Sequence, residues 1–239
     1  MRRAAVAVIA LALTLPAGSA ARGPFTLPAE KTQECHLVAW CYGAAGPWVV
    51  IPAHGEATFL FRCPPRSAER GQFLLGGADS LASSTSVRVW YDGQLGAPLG
   101  QQSLGAGLLF HAVLDNGKAG SFEPILGCIS LAQAVKRSTV SARAETPPRS
   151  APPVNPRATN LILAPGSDRT VSTTCHPGEQ LVGKWSAVAF GTDGPPTLPA
   201  PAAIKIATHA VGRVVSALIQ TATSVPYLIQ VQVGALCEP

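Results

Sequence analysis

The sequence predicts an all-β protein: two tandem antiparallel β-sandwich-like domains, each stabilised by a disulfide. Three observations carry this. Apolar side chains recur at every second position in several short runs, the period of a half-buried strand. The chain has six cysteines, an even number behind what reads as an export leader, which points to disulfides formed in an oxidising compartment. One pattern of strand, turn, strand and cysteine occurs twice, on either side of a proline-rich stretch.

Residues 1–20 read as a signal peptide. Arg2 and Arg3 form a positive start, Ala4–Pro16 is an apolar run, and Ala17-Gly18-Ser19-Ala20 supplies the small residues that cleavage requires. The run is shorter than the about 20 apolar residues that span a bilayer. No later segment is long and apolar enough to span one, so the mature chain is expected to have no integral membrane segment. The protein is therefore expected to be secreted. Residues 21–48 are expected to form an N-terminal segment packed on the first domain, with a small disulfide loop between Cys35 and Cys41.

The first β-domain is placed at 49–140. Val49-Val50-Ile51 is followed by a Pro/Gly turn, the alternating run Ala57-Thr58-Phe59-Leu60-Phe61-Arg62, and then Cys63-Pro64. Val87, Val89 and Tyr91 alternate with Arg88 and Trp90, and Phe122–Gly127 leads into Cys128. Residues 141–158 read as a linker, because Pro147, Pro148, Pro152, Pro153 and Pro156 forbid a helix and a central strand. The second β-domain is placed at 159–239. Leu161-Ile162-Leu163, a Pro-Gly turn and the run Thr170–Thr174 precede Cys175, and Tyr227, Ile229, Val231 and Val233 alternate ahead of Cys237. The intervals Cys63–Cys128 and Cys175–Cys237 are almost equal, which suggests a tandem duplication. Helical signal is weak. Residues 129–140 could form a short helix, and 211–223 could too, but its Val, Ile and Thr content favours strand.

Cys175-His176-Pro177-Gly178, Leu181-Val182-Gly183 and Cys237, with Cys63-Pro64-Pro65, Leu74-Leu75-Gly76-Gly77 and Cys128, resemble β-rich modules of exported bacterial proteins of actinobacterial type. The resemblance implies a β-rich exported fold with its opening and closing cysteines paired. It implies no activity.

Composition narrows the function. The net charge is +5, to which Arg2 and Arg3 of the leader contribute two, and only 13% of residues are charged. Such a charge is too small and too scattered for a nucleic-acid partner. His36 and His176 lie beside cysteines but outside zinc-site spacing, so no metal and no cofactor are expected. No Gly-x-Ser-x-Gly elbow is present. Gly77-Ala78-Asp79-Ser80-Leu81 holds part of a lipase block but lacks the downstream Asp-x-x-His, and reads as a turn. The chain is therefore not expected to be an enzyme.

Binding is the class that remains. Trp40, Tyr42 and Trp48 concentrate aromatic surface near the start of the mature chain. They form either a platform or the cap of the first sandwich. Trp90 shares a strand face with Arg88 and would be exposed if Val87, Val89 and Tyr91 point inward. Lys184-Trp185 is a further candidate surface. The expected function is a secreted, non-enzymatic binding protein of the bacterial extracellular space or cell surface, directed to a polysaccharide or a surface protein. Homo-oligomerisation is compatible with this reading. The alternatives are a secreted hydrolase or inhibitor with a site built from spatial pairs, and a structural coat component assembling through sheet edges.

Overall fold

The structure is a computed structural model and describes residues 41–64, 73–93, 107–115, 117–130, 154–196, 204–225 and 227–239. The leader, Cys35 and Trp40 lie outside these residues. So do residues 131–140 of the helix considered above.

The fold is all-β. In chain order the strands are β1 (Cys41–Ala45), β2 (Trp48–Ile51), β3 (Glu56–Arg62), β4 (Phe73–Ala82), β5 (Val87–Asp92), β6 (Gly107–Leu114), β7 (Gly120–Ser130), β8 (Asn155–Leu163), β9 (Asp168–Thr174), β10 (Gln180–Phe190), β11 (Ile204–Val211), β12 (Val214–Thr221) and β13 (Ile229–Glu238). Among the described residues there is no helix, and hence none long and apolar enough to cross a membrane. Residues 211–221 form the end of β11 and then β12, as their β-branched content predicts.

These strands form one seven-stranded sheet and two three-stranded sheets. The large sheet runs β1-β7-β2-β10-β13-β8, with β4 also on β7. The small sheets run β3-β6-β5 and β11-β12-β9. The two halves repeat one pairing scheme. β7 pairs with β4 and β2 as β13 pairs with β10 and β8. β6 lies between β3 and β5 as β12 lies between β9 and β11. Even the bulges coincide, between Leu75 and Gly77 in β4 and between Leu181 and Gly183 in β10. In each half the residue before the bulge faces the closing cysteine, Leu75 opposite Cys128 and Leu181 opposite Cys237.

Among the described residues the disulfides are Cys63–Cys128 and Cys175–Cys237. Each bolts the end of a small-sheet strand to the last strand of its half. Closing loops of 65 and 62 residues, each removes chain entropy worth about 4 kcal/mol from the unfolded state.

The halves do not hang from a linker as separate sandwiches. β2 pairs with β10, Val49 opposite Ala189 and Trp48 opposite Phe190, so one sheet runs through both. Alternate side chains of a strand face opposite sides of the sheet. Val49, Ile51, Ala187 and Ala189 enter the core beneath β3-β6-β5, with Phe59, Phe110 and Phe122. Phe190, Val50 and Val188 face the core beneath β11-β12-β9, with Ile219, Val231 and Val233. The small sheets therefore cover opposite faces of the large one, and β2 and β10 are buried from both sides where they overlap. Residues 41–48 of the expected N-terminal segment are also joined to this sheet. β1 and β2 occupy one edge of β7 in succession, joined across Gly46, whose N–H donates to Pro124 O. The expected linker likewise gives its last four residues to β8, where Pro156 is tolerated because β8 is an edge strand.

A second contact locks the halves. Gln232 on β13 is fully buried, and its amide makes four hydrogen bonds. Oε1 accepts from Leu60 N (2.7 Å) and Trp185 Nε1 (3.0 Å), while Nε2 donates to Leu60 O (2.9 Å) and Asn160 Oδ1 (2.9 Å). β3 pairs only with β6, so its other edge would leave the Leu60 peptide groups without partners. Gln232 supplies the missing pair. Around it Leu60, Leu109 and Trp185 form a small apolar cluster with Ala158 and Leu236. The Trp185 indole lies flat over Gly234, where a Cβ would overlap the ring.

Replacing Gln232 by Ala strands the Leu60 peptide and the Trp185 indole N–H. We expect a stability loss of about 3 kcal/mol in chemical denaturation. A loss below about 1 kcal/mol would mean that water takes over the amide's role.

Candidate recognition face

The outward face of β3-β6-β5 gathers polar and aromatic side chains by register. Arg88 lies opposite Val113, which lies opposite Glu56. The next row is Trp90, His111 and Thr58, and the third is Asp92, Leu109 and Leu60. The alternation read in the sequence explains this. Val87 and Val89 turn inward, and Tyr91 packs its ring against Phe110 at the rim of the core. That leaves Arg88, Trp90 and Asp92 outward.

Trp90 is 48% exposed. Its indole stacks on the His111 imidazole, with ring centres 5.6 Å apart and planes 17° from parallel. His111 is held from both sides: Nε2 lies 3.1 Å from Asp92 Oδ2, and Nδ1 lies 3.1 Å from Thr58 Oγ1. With the carboxylate as acceptor, Nε2 carries the hydrogen and Nδ1 accepts from the Thr58 hydroxyl. Arg88 forms an exposed ion pair with Asp115 at 2.9 Å, worth little in stability. It draws the guanidinium toward the end of β6, on the side away from His111. The lower row, Leu109 and Leu60, is already covered by Trp185, so the face begins at the seam between the halves.

A hydroxyl, an imidazole and a carboxylate in one line resemble the parts of a nucleophilic relay. Acyl transfer also needs donors aimed at a developing oxyanion and a place that excludes water. Thr58 lies on an open sheet face, and among the described residues no converging pair of donors accompanies it. The arrangement orients an imidazole beneath an exposed indole. A cavity of about 270 Å3, lined by Ser83, Ser84, Ser121, Lys118 and Pro196, lies at the start of β7. It carries neither a histidine nor a carboxylate pair.

Of the other expected surface residues, Trp48 and Trp185 are corrected. Trp48 is 4% and Trp185 8% exposed. Trp48 sits in a strand covered on both faces, and Trp185 is buried by the docked edge of β3. Neither offers a recognition surface. Tyr42 is also buried, and its hydroxyl donates to Pro64 O at 2.8 Å.

Sequence reasoning passed over Thr58, His111 and Asp92, which stand on three strands. It also passed over the cluster at the turn between β9 and β10. There Cys175, Cys237 and Glu179 bring donor atoms together, but the sulfurs form a disulfide and offer no thiolate. The Glu179 carboxylate accepts from Arg157 Nε (3.0 Å) and Nη2 (2.6 Å), from Asn155 Nδ2 (3.3 Å) and from His176 N (2.7 Å). The Arg157 hydrogen bonds are the main reason its pKa falls to about 2. It is a structural clasp between β8 and the turn.

Glu123 stands five residues before Cys128, as Gln232 stands five before Cys237. Burial pushes its carboxyl up to about 7.

Comparison with protein-family models, with curated proteins and with solved structures finds no match to this chain.

The raised Glu123 value has a signed consequence. The folded state binds this proton more tightly than the unfolded chain, so stability falls as pH rises from the ordinary carboxylate range to about 7. Glu123→Gln removes the charge. The variant should melt higher than the parent at about pH 8 and at the same temperature near pH 4. A thermal-melt difference independent of pH would contradict this.

Proposed function

We propose that this chain is a secreted, non-enzymatic binding protein of the bacterial extracellular space or cell surface, and that it recognises its partner through the outward face of β5-β6-β3. The carrying observation is the exposed Trp90 indole stacked on a doubly anchored His111. An exposed tryptophan seated among polar groups is rare on a surface without a role, because its apolar area is large. Here its position is fixed in advance by the sheet, so little side-chain entropy is lost on contact. The two disulfides and the sparse charge agree with life outside a reducing cytoplasm. The repeated pairing scheme supports an origin by tandem duplication, with recognition confined to the first half: the strand that matches β5 is β11, and it carries no aromatic residue.

Trp90→Ala should leave the thermal midpoint within about 2 °C of the parent, because the side chain touches the core nowhere. It should abolish retention of the oxidised mature protein on the envelope fraction of the producing cells. Unchanged retention would place recognition elsewhere.

A further inference from the structure

Resting on that reading, we infer that the ligand of the Trp90 face is a neutral polysaccharide, bound by stacking one pyranose ring on the exposed side of the indole with its hydroxyls bridged to Asp92, Thr58 and Arg88.

The chemistry of the face selects among ligand classes. Arg88 is paired with Asp115, and Asp92 and the exposed Glu56 add two further carboxylates to the same face. A strongly anionic ligand would meet carboxylates here, and the one guanidinium of the face is already paired with Asp115. The apolar area is a single indole. A protein partner of ordinary affinity needs a cluster of buried anchors over about 800 Å2 per side, and the neighbouring apolar row, Leu60 and Leu109, is already buried against Trp185. An apolar small molecule would need a pocket enclosing most of its surface, whereas this face is an open sheet.

A sugar ring fits what is present. Its C–H face is apolar and flat and matches one side of an indole. Its rim hydroxyls both donate and accept. Asp92 accepts, Arg88 donates, and the Thr58 oxygen, its hydrogen given to His111 Nδ1, accepts. The other side of the indole is held by His111, so the stacking plane is fixed before binding. An open face that grips one ring suits a chain that passes across it, because a polymer offers the same ring many times and gains by rebinding.

The test is affinity electrophoresis of the oxidised mature protein through gels containing protein-free polysaccharides: xylan, galactan, a mixed-linkage β-glucan and soluble peptidoglycan strands. Trp90→Ala, Trp90→Phe and Tyr227→Ala run alongside. Tyr227 is an exposed aromatic packed on Phe190 in the second half and serves as control. We expect at least one polysaccharide to retard the parent and the Tyr227 variant equally. Trp90→Ala should weaken binding by at least about tenfold and Trp90→Phe by less. Retardation by none of them, or retardation unchanged in Trp90→Ala, overturns the sugar inference. In that case, Trp90-dependent capture on the protein fraction of the envelope would keep the recognition face and reassign its ligand. Capture indifferent to Trp90 would remove the face as well.

Discussion

One side-chain amide holds this architecture together. A three-stranded sheet has two edges, and β3 would present its edge directly to the other half of the chain. Peptide groups buried there without partners cost more than most single contacts return. Gln232 meets the Leu60 N–H and C=O as a paired strand would, and it uses its remaining capacity on Trp185 and Asn160. Every donor and acceptor of the amide is engaged. The seam of Leu60, Leu109, Trp185 and Leu236 closes around a fully satisfied polar centre, the arrangement in which a buried polar group specifies a single docking geometry.

That docking decides what is left for recognition. The edge of β3 is consumed by the seam, and the core side of the sheet is consumed by Phe59 and Phe110. The outward side toward β5 is what remains, and Trp90 stands on it. The indole's setting is thus a by-product of how the halves join. The same sheet that buries the Phe59 and Phe110 rings inside holds the Trp90 indole outside, on a rigid base provided by Cys63–Cys128 and the two-faced strands beneath.

Much of this was legible in the sequence. The alternation of Val87 and Val89 against Arg88 and Trp90 matches the two sides of β5, whereas Tyr91, at the strand's end, touches Phe110 but stays 38% exposed. The near-equal cysteine intervals pointed to the duplication, which the repeated pairing scheme matches, and the resemblance implied the pairing of Cys63 with Cys128 and of Cys175 with Cys237. The continuity of the large sheet was not read, because β2 and β10 meet through only two pairs of residues far apart in the chain. A trace was present. Trp48–Ile51 and Ala187–Phe190 are apolar at every position, the mark of a strand covered on both sides. Trp185 looked like a surface residue because its neighbours Lys184 and Ser186 are polar. Its partner Gly234 is what makes room for it, and that relation is cross-strand. Thr58, His111 and Asp92 come together only after three strands align.

The join between the halves is head-to-tail, and a head-to-tail contact between alike units has no built-in stopping point. The β8 edge matches β2, and the β4 edge matches β10, so the same junction could in principle repeat from one molecule to the next. The side chains of the seam are not repeated at the outer ends. Where the first half offers Leu60 and Leu109, the second offers Ser172 and Ser216. Where the second half receives them with Trp185, Gln232 and Leu236, the first has Asp79, Glu123 and Gly127. Each adhesive position has a polar, charged or small counterpart at the outer end. The seam is thus written into one end of each half and not into the other: alike strands carry unlike side chains.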